Sequence, residues 1–112
     1  MKLVEAVAED LTVIEAYGRI NSTTATVFRD RLLSLIQTRP RTLLIDLENI
    51  VYISSAGFHA LLIAKRDAAE RDTKLALCGV TGEVKRLFDM GGFSDEFLIF
   101  ATHADAIGKL RP

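Results

Sequence analysis

Leu44 to Leu62 reads LIDLENIVYISSAGFHALL: an apolar run stops at a Ser-Ser-Ala-Gly turn and resumes with helical spacing. Thr42 to Leu47 (TLLIDL) is nearly continuous in apolar side chains, the pattern of a strand covered on both faces, and Asp46 and Glu48 mark its exit. Ile50 to Ile53 then extend toward Ser54 and Ser55. Beyond Gly57, the residues Phe58, Leu61, Leu62 and Ala69 recur at the spacing of one helix face, and the helix fades near Glu70 to Asp72. Ser54 or Ser55 is the expected N-cap, a hydroxyl that accepts a backbone N–H and is worth about 1 kcal/mol. Free N–H groups and the positive end of the helix dipole converge on the same turn, so a phosphate placed there is tolerated or held.

Outward from this stretch, Lys2 to Val7 and Leu11 to Tyr17 alternate around Ala8-Glu9-Asp10, which predicts a hairpin with Glu5 and Glu15 on exposed faces. Gly18 ends the second strand. Asn21 or Ser22 caps a helix of Thr23 to Gln37 whose apolar face carries Val27, Phe28, Leu32, Leu35 and Ile36, with Arg29, Asp30 and Arg31 solvated. Arg39-Pro40-Arg41 breaks that helix, because proline disfavours helix at the preceding residue.

Downstream, Lys74 to Cys78 (KLALC) is an apolar strand closed by Gly79. Thr81 caps a helix of Gly82 to Met90, with Glu83 in the first turn where the dipole favours an acid. Gly91-Gly92 stops it. Phe97 to Phe100 is the last strand, parallel to its neighbour, and Thr102 or His103 opens a final helix of Ala104 to Leu110. Strands and helices alternate after the hairpin, so the fold class is α/β, a mixed sheet of about five strands, largely parallel, with about four helices. No linker or repeat interrupts the chain, which predicts a single domain over residues 1–112.

The segment DLENIVYISSAGF resembles the signature of the STAS domains of anti-sigma factor antagonists, an apolar strand followed by Asp-Ser-Ser/Thr-Gly-Leu and a helix. Val84 to Phe93 (VKRLFDMGGF) is similar to that family's Val-Lys-Arg-Leu-Phe segment before a glycine. Gly18 to Thr24 (GRINSTT) is similar to its glycine, apolar, aspartate segment before the first helix. The three occur in the family's order and span nearly the whole chain. The resemblance implies a STAS fold and places the phosphorylatable serine at Ser55, with Ser54 in place of an aspartate, Ala56 in place of a second hydroxyl residue and Asn21 in place of the first-loop aspartate. Both acidic positions are neutral here, which leaves less negative charge to oppose an incoming phosphate.

What the resemblance implies for function is a non-enzymatic phospho-switch. The unmodified form binds an anti-sigma factor with serine-kinase activity, phosphorylation of Ser55 weakens that complex, and a serine phosphatase reverses it. Asn21, Ser22, Ser54, Ser55, Ala56, Gly57 and His59 form the expected partner-binding surface. The alternatives are a STAS scaffold subunit of a transport ATPase or other assembly, in which Ser55 is only a cap, and a small-ligand or nucleotide sensor.

Composition agrees. With 14 basic and 15 acidic residues and no basic cluster interleaved with aromatics, no nucleic-acid partner is expected. The apolar runs are shorter than the ~20 residues of a membrane span, and Met1-Lys2 leads directly into a strand, so no membrane insertion and a cytoplasmic location are expected. The single cysteine, Cys78, sits in an apolar run and reads as a buried reduced thiol. No cofactor is expected: the glycines lack a phosphate-loop pattern, and no Cys or His stands near His103 at ligand spacing, so no metal constellation is marked. A base and an orienting acid around Ser55 are not indicated either, and GxSxG is absent, which argues against catalysis.

Overall fold

The structure, a computed structural model that describes residues 1–111, orders the chain as β1 (Lys2–Ala8), β2 (Leu11–Ile20), α1 (Thr24–Gln37), β3 (Thr42–Ile53), α2 (Ser55–Glu70), β4 (Lys74–Cys78), α3 (Gly82–Gly91), β5 (Leu98–Phe100) and α4 (His103–Leu110). The sheet order is β1-β2-β3-β4-β5, so every strand lies beside its neighbour in sequence. β1 and β2 form the antiparallel hairpin, and the later pairs are parallel.

Period-two alternation along β3 sorts the core. Leu43, Ile45 and Leu47 join the larger cluster with Phe28, Leu32 and Ile36 of α1, Leu61 of α2, and Val84 and Phe88 of α3. Leu44 points the other way, to a smaller cluster with Leu11, Val13, Ala76, Cys78 and Ala106, which α4 covers through Ile107 and Leu110. Two apolar faces explain why TLLIDL is nearly unbroken in hydrophobic residues.

Several boundaries move. β3 does not end at Asp46 and Glu48 but runs unbroken to Ile53, because its pairing with β2 resumes from Tyr17↔Asn49 to Ile20↔Ile53 after an irregularity. Asp46 is buried within it. β2 likewise passes through Gly18, which adopts φ +107° beside a register shift, and ends at Ile20. α2 begins at Ser55, ahead of Gly57.

Val27 and Ala69 are exposed, and Ala25 and Ala68 take the inward positions. Both errors come from reading any apolar residue as core, whereas small alanines fit where two helices approach closely. Glu15 is half-buried rather than exposed, as it stands in register with Asp46 on the face covered by α4. Arg31 pairs with Glu5 across the α1–β1 gap. Thr81 precedes α3 without capping it, while Gly92 ends it in the left-handed region at φ 74°. The Phe93 N–H then reaches back to Phe88 O at 2.9 Å, so the bend that closes the helix needs a residue free to adopt positive φ.

Candidate functional site

β2 and β3 run parallel and finish opposite one another at Ile20↔Ile53. The residues that follow, Asn21 and Ser54, therefore leave the sheet side by side and each opens a helix. The Ser54 N–H donates to Ile20 O at 2.8 Å, which ties the two exits together.

Asn21 is the working cap of α1. Its Oδ1 accepts from the N–H groups of Thr23 and Thr24 at 2.9 and 3.0 Å. Thr24 Oγ1 in return accepts from Asn21 N–H at 2.9 Å and donates to Arg19 O at 2.7 Å, a reciprocal arrangement of the capping-box kind. Ser22 stays exposed and caps nothing.

At α2 the two serines divide the work. Ser54 has extended geometry (φ −93°, ψ 175°), and its Oγ accepts from Gly57 N–H at 3.4 Å, so Ser54 is the N-cap. Ser55 is the first helical residue, it is exposed, and its hydroxyl enters none of the hydrogen bonds among the described residues. Gly57 is buried where α2 meets the sheet. A Cβ built there would lie 2.6 Å from Ile53 Cγ1 and 2.7 Å from Ile20 Cγ2, so the close approach of helix to strand ends requires glycine. Phe58 follows as the anchor, stacked on Phe93 (4.2 Å, 7°) and edge-on to Phe88 (4.9 Å, 68°).

Ser22, Ala56 and His59 line a shallow depression of about 100 Å³ between α1 and α2, together with Ala25, Thr26, Arg29, Ala60 and Ile63. Asn21 and Ser54 are half-buried and Gly57 is buried, and none of the three lines this depression. Arg29, which the sequence presents as a solvated charge beside Asp30, also lines this depression; its i, i+3 and i+4 relation to Thr26 and Ala25 is the signal that places it on the same helix side. No acid stands in the first turn of α2, and the helix start there favours an anion.

On the opposite face a second polar group assembles. Asp46, Cys78 and His103 present ligand-type atoms within 4.8 Å of one another. Asp46 is 3% exposed and Cys78 fully buried. Asp46 Oδ1 accepts from Glu48 N–H at 3.0 Å and Oδ2 meets His103 Nδ1 at 2.9 Å. Burial, then the Asp46 charge and the hydrogen bond to it, push the Cys78 thiol up to about 12. Cys78 is thus the buried reduced thiol that the sequence predicts, but His103 does gain ligand-type neighbours. Sheet register makes them: Asp46↔Cys78 are paired across β3 and β4, and linear spacing carries no trace of it.

Among the described residues, four helices pack on a five-stranded mixed sheet, and two of their N-termini stand at the ends of adjacent parallel strands, which is a STAS-type α/β architecture. The STAS domain pattern matches residues 3–106, and the chain belongs to the STAS domain family. It is 27% identical over 111 residues to BtrV of Bordetella bronchiseptica, named as an anti-sigma factor antagonist, covering 99% of this chain and 96% of that protein.

Among solved structures, an anti-sigma factor antagonist from Thermotoga maritima superposes with a TM-score of 0.89 at 14% identity, covering 98% of this chain and 95% of the other. The phosphorylated form of the Bacillus cell-fate determinant SpoIIAA superposes at 0.73 with 18% identity, covering 98% and 100%. At these identities the likeness establishes the fold. Among the described residues no helix is long and apolar enough to cross a membrane.

Proposed function

We propose that this domain is a non-enzymatic, cytoplasmic anti-sigma factor antagonist switched by phosphorylation of Ser55. The observation that carries the reading is the division of labour between Ser54 and Ser55: the first caps α2, and the second presents an exposed, unbonded hydroxyl. A hydroxyl committed to capping would have to abandon its N–H to accept a phosphate; Ser55 has no such commitment. The name of BtrV supports the role.

The partner is an anti-sigma factor with serine-kinase activity, which docks over Ser22, Ala56, His59 and the exposed first turn of α2. A serine phosphatase restores the unmodified form. Phosphate adds about −1.5 to −2 charges and three acceptor oxygens. The helix start accommodates them, so the domain stays folded. A partner covering the same turn must desolvate that charge, and the complex weakens.

The test is calorimetric binding of wild type, Ser55→Ala and Ser55→Asp to the cognate kinase partner, with site-mapped mass spectrometry after incubation with ATP. One phosphate on Ser55 and a Ser55→Asp affinity reduced by about tenfold or more are expected. Phosphate elsewhere, or equal affinities for wild type and Ser55→Asp, would overturn the switch and leave a scaffold domain.

A further inference from the structure

The group under α4 combines one carboxylate, one thiol and one imidazole, supplied by three separate elements. β3 gives Asp46, β4 gives Cys78 and the first residue of α4 gives His103. A carboxylate 3% exposed in an apolar strand needs a reason to be there. From these residues we infer a divalent transition-metal site, best matched to zinc, formed by Asp46, Cys78 and His103 on the sheet face opposite Ser55.

The chemistry of the set selects the ion. Thiolate and imidazole ligands favour zinc over the hard cations magnesium and calcium, which take all-oxygen shells. Bonds of about 2.0–2.3 Å in a tetrahedron hold ligand atoms roughly 3.3–3.8 Å apart. The three atoms here lie within 4.8 Å of one another, with the Asp46–His103 contact at 2.9 Å, so each separation is within about 1 Å of what that tetrahedron requires.

The carboxylate is already oriented. Asp46 Oδ1 is occupied by Glu48 N–H, which leaves Oδ2 for the ion and supplies the outer-shell bond that ligating carboxylates need. Binding displaces the Cys78 proton: the S–H bond breaks, a sulfur–zinc bond forms and the proton leaves to solvent, while the imidazole gives up its Nδ1 proton and takes one from solvent on Nε2, so that the Nδ1 lone pair replaces the hydrogen bond to Asp46 and faces the ion. Thiolate and carboxylate then cancel the two positive charges of the ion, and imidazole stays neutral, so the filled site carries no net charge into a half-apolar layer. His103, the half-exposed member, forms the solvent side, where a water takes the fourth position.

The inference is independent of the Ser55 reading, and its test uses the full chain. Metal-free, reduced protein titrated with Co²⁺ should develop the near-ultraviolet thiolate-to-cobalt charge-transfer band and saturate at one ion per chain. Zn²⁺ should then bleach the band by competition. Cys78→Ala should abolish the band, and His103→Gln, at the protein surface, should weaken binding about tenfold or more.

Asp46→Asn is avoided as the primary variant because it alters a buried hydrogen-bonded group. Circular dichroism of Cys78→Ala and His103→Gln checks that both remain folded. A wild-type protein without the charge-transfer band, or a Cys78→Ala variant that binds Zn²⁺ as tightly as wild type, overturns the site and leaves Asp46–His103 as a hydrogen-bonded latch.

Discussion

Replacing Gly57 by alanine should destabilise the domain, although alanine is the better helix former. Gly57 stands in the first turn of α2, where relief of glycine's backbone entropy is worth at most about 1 kcal/mol. Against this, the new methyl would sit 2.6 Å from Ile53 Cγ1, 2.7 Å from Ile20 Cγ2 and 3.2 Å from Ile53 Cδ1. Ile20 and Ile53 are buried at 0% and 1% exposure and have no free volume to swing into. Forcing a methyl into a packed site costs about 1–3 kcal/mol.

The net is a loss of up to about 2 kcal/mol, or a fall in Tm of up to roughly 8 °C for a domain of this size. Gly108 in α4 is the control, since a Cβ there meets nothing within 4 Å, and Gly108→Ala should gain up to about 1 kcal/mol. Urea unfolding followed by circular dichroism measures both. Equal effects of the two substitutions, or a stabilised Gly57→Ala, would refute the claim that helix–strand contact dictates glycine at this turn.

Ser54→Ala should cost about 0.5–1 kcal/mol through its lost cap, whereas Ser55→Ala should stay within about 0.5 kcal/mol of wild type; a reversal of that order in denaturant titration would exchange the roles of the two serines. The folded-state pKa of Cys78 is raised from 9.0 to about 12 by burial and by Asp46, so the unfolded chain loses this proton first. The resulting stability term is complete below about pH 9 and is lost as pH rises toward 12. Stability of the metal-free protein should therefore fall more steeply above pH 9 than that of Cys78→Ala, and parallel profiles would contradict it.

The turn at Ser54 and Ser55 was legible because everything that makes it is local. An apolar strand, a hydroxyl pair, a glycine and a resumed helical period follow one another within 19 residues (44–62), and short-range hydrogen bonds realise them. The choice between Ser54 and Ser55 as cap was not legible, since both types cap well and only the backbone geometry at Ser54 decides. The group under α4 was invisible for a different reason. In a parallel sheet each strand-to-strand step inserts a crossover, so Asp46 and His103, in contact at 2.9 Å, stand 57 residues apart. The one trace was an acid inside TLLIDL, and reading it as the strand's exit was the natural error: a carboxylate usually signals solvent, and here a histidine from the next layer replaces the solvent.

This arrangement separates the residues that hold the turn from those that could act through it. Asn21, Ser54 and Gly57 spend their polar atoms or their lack of a side chain on the exits of β2 and β3, so substitutions there should register first in stability. Ser22, Ser55 and His59 are exposed, and no side chain of the three enters a hydrogen bond among the described residues, so substitutions there should register in binding with little effect on folding. A switch built on such a surface needs no second conformation of the domain. In the proposed switch, charge added at Ser55 meets a helix start whose dipole favours anions, and the cost falls on the partner that must desolvate it.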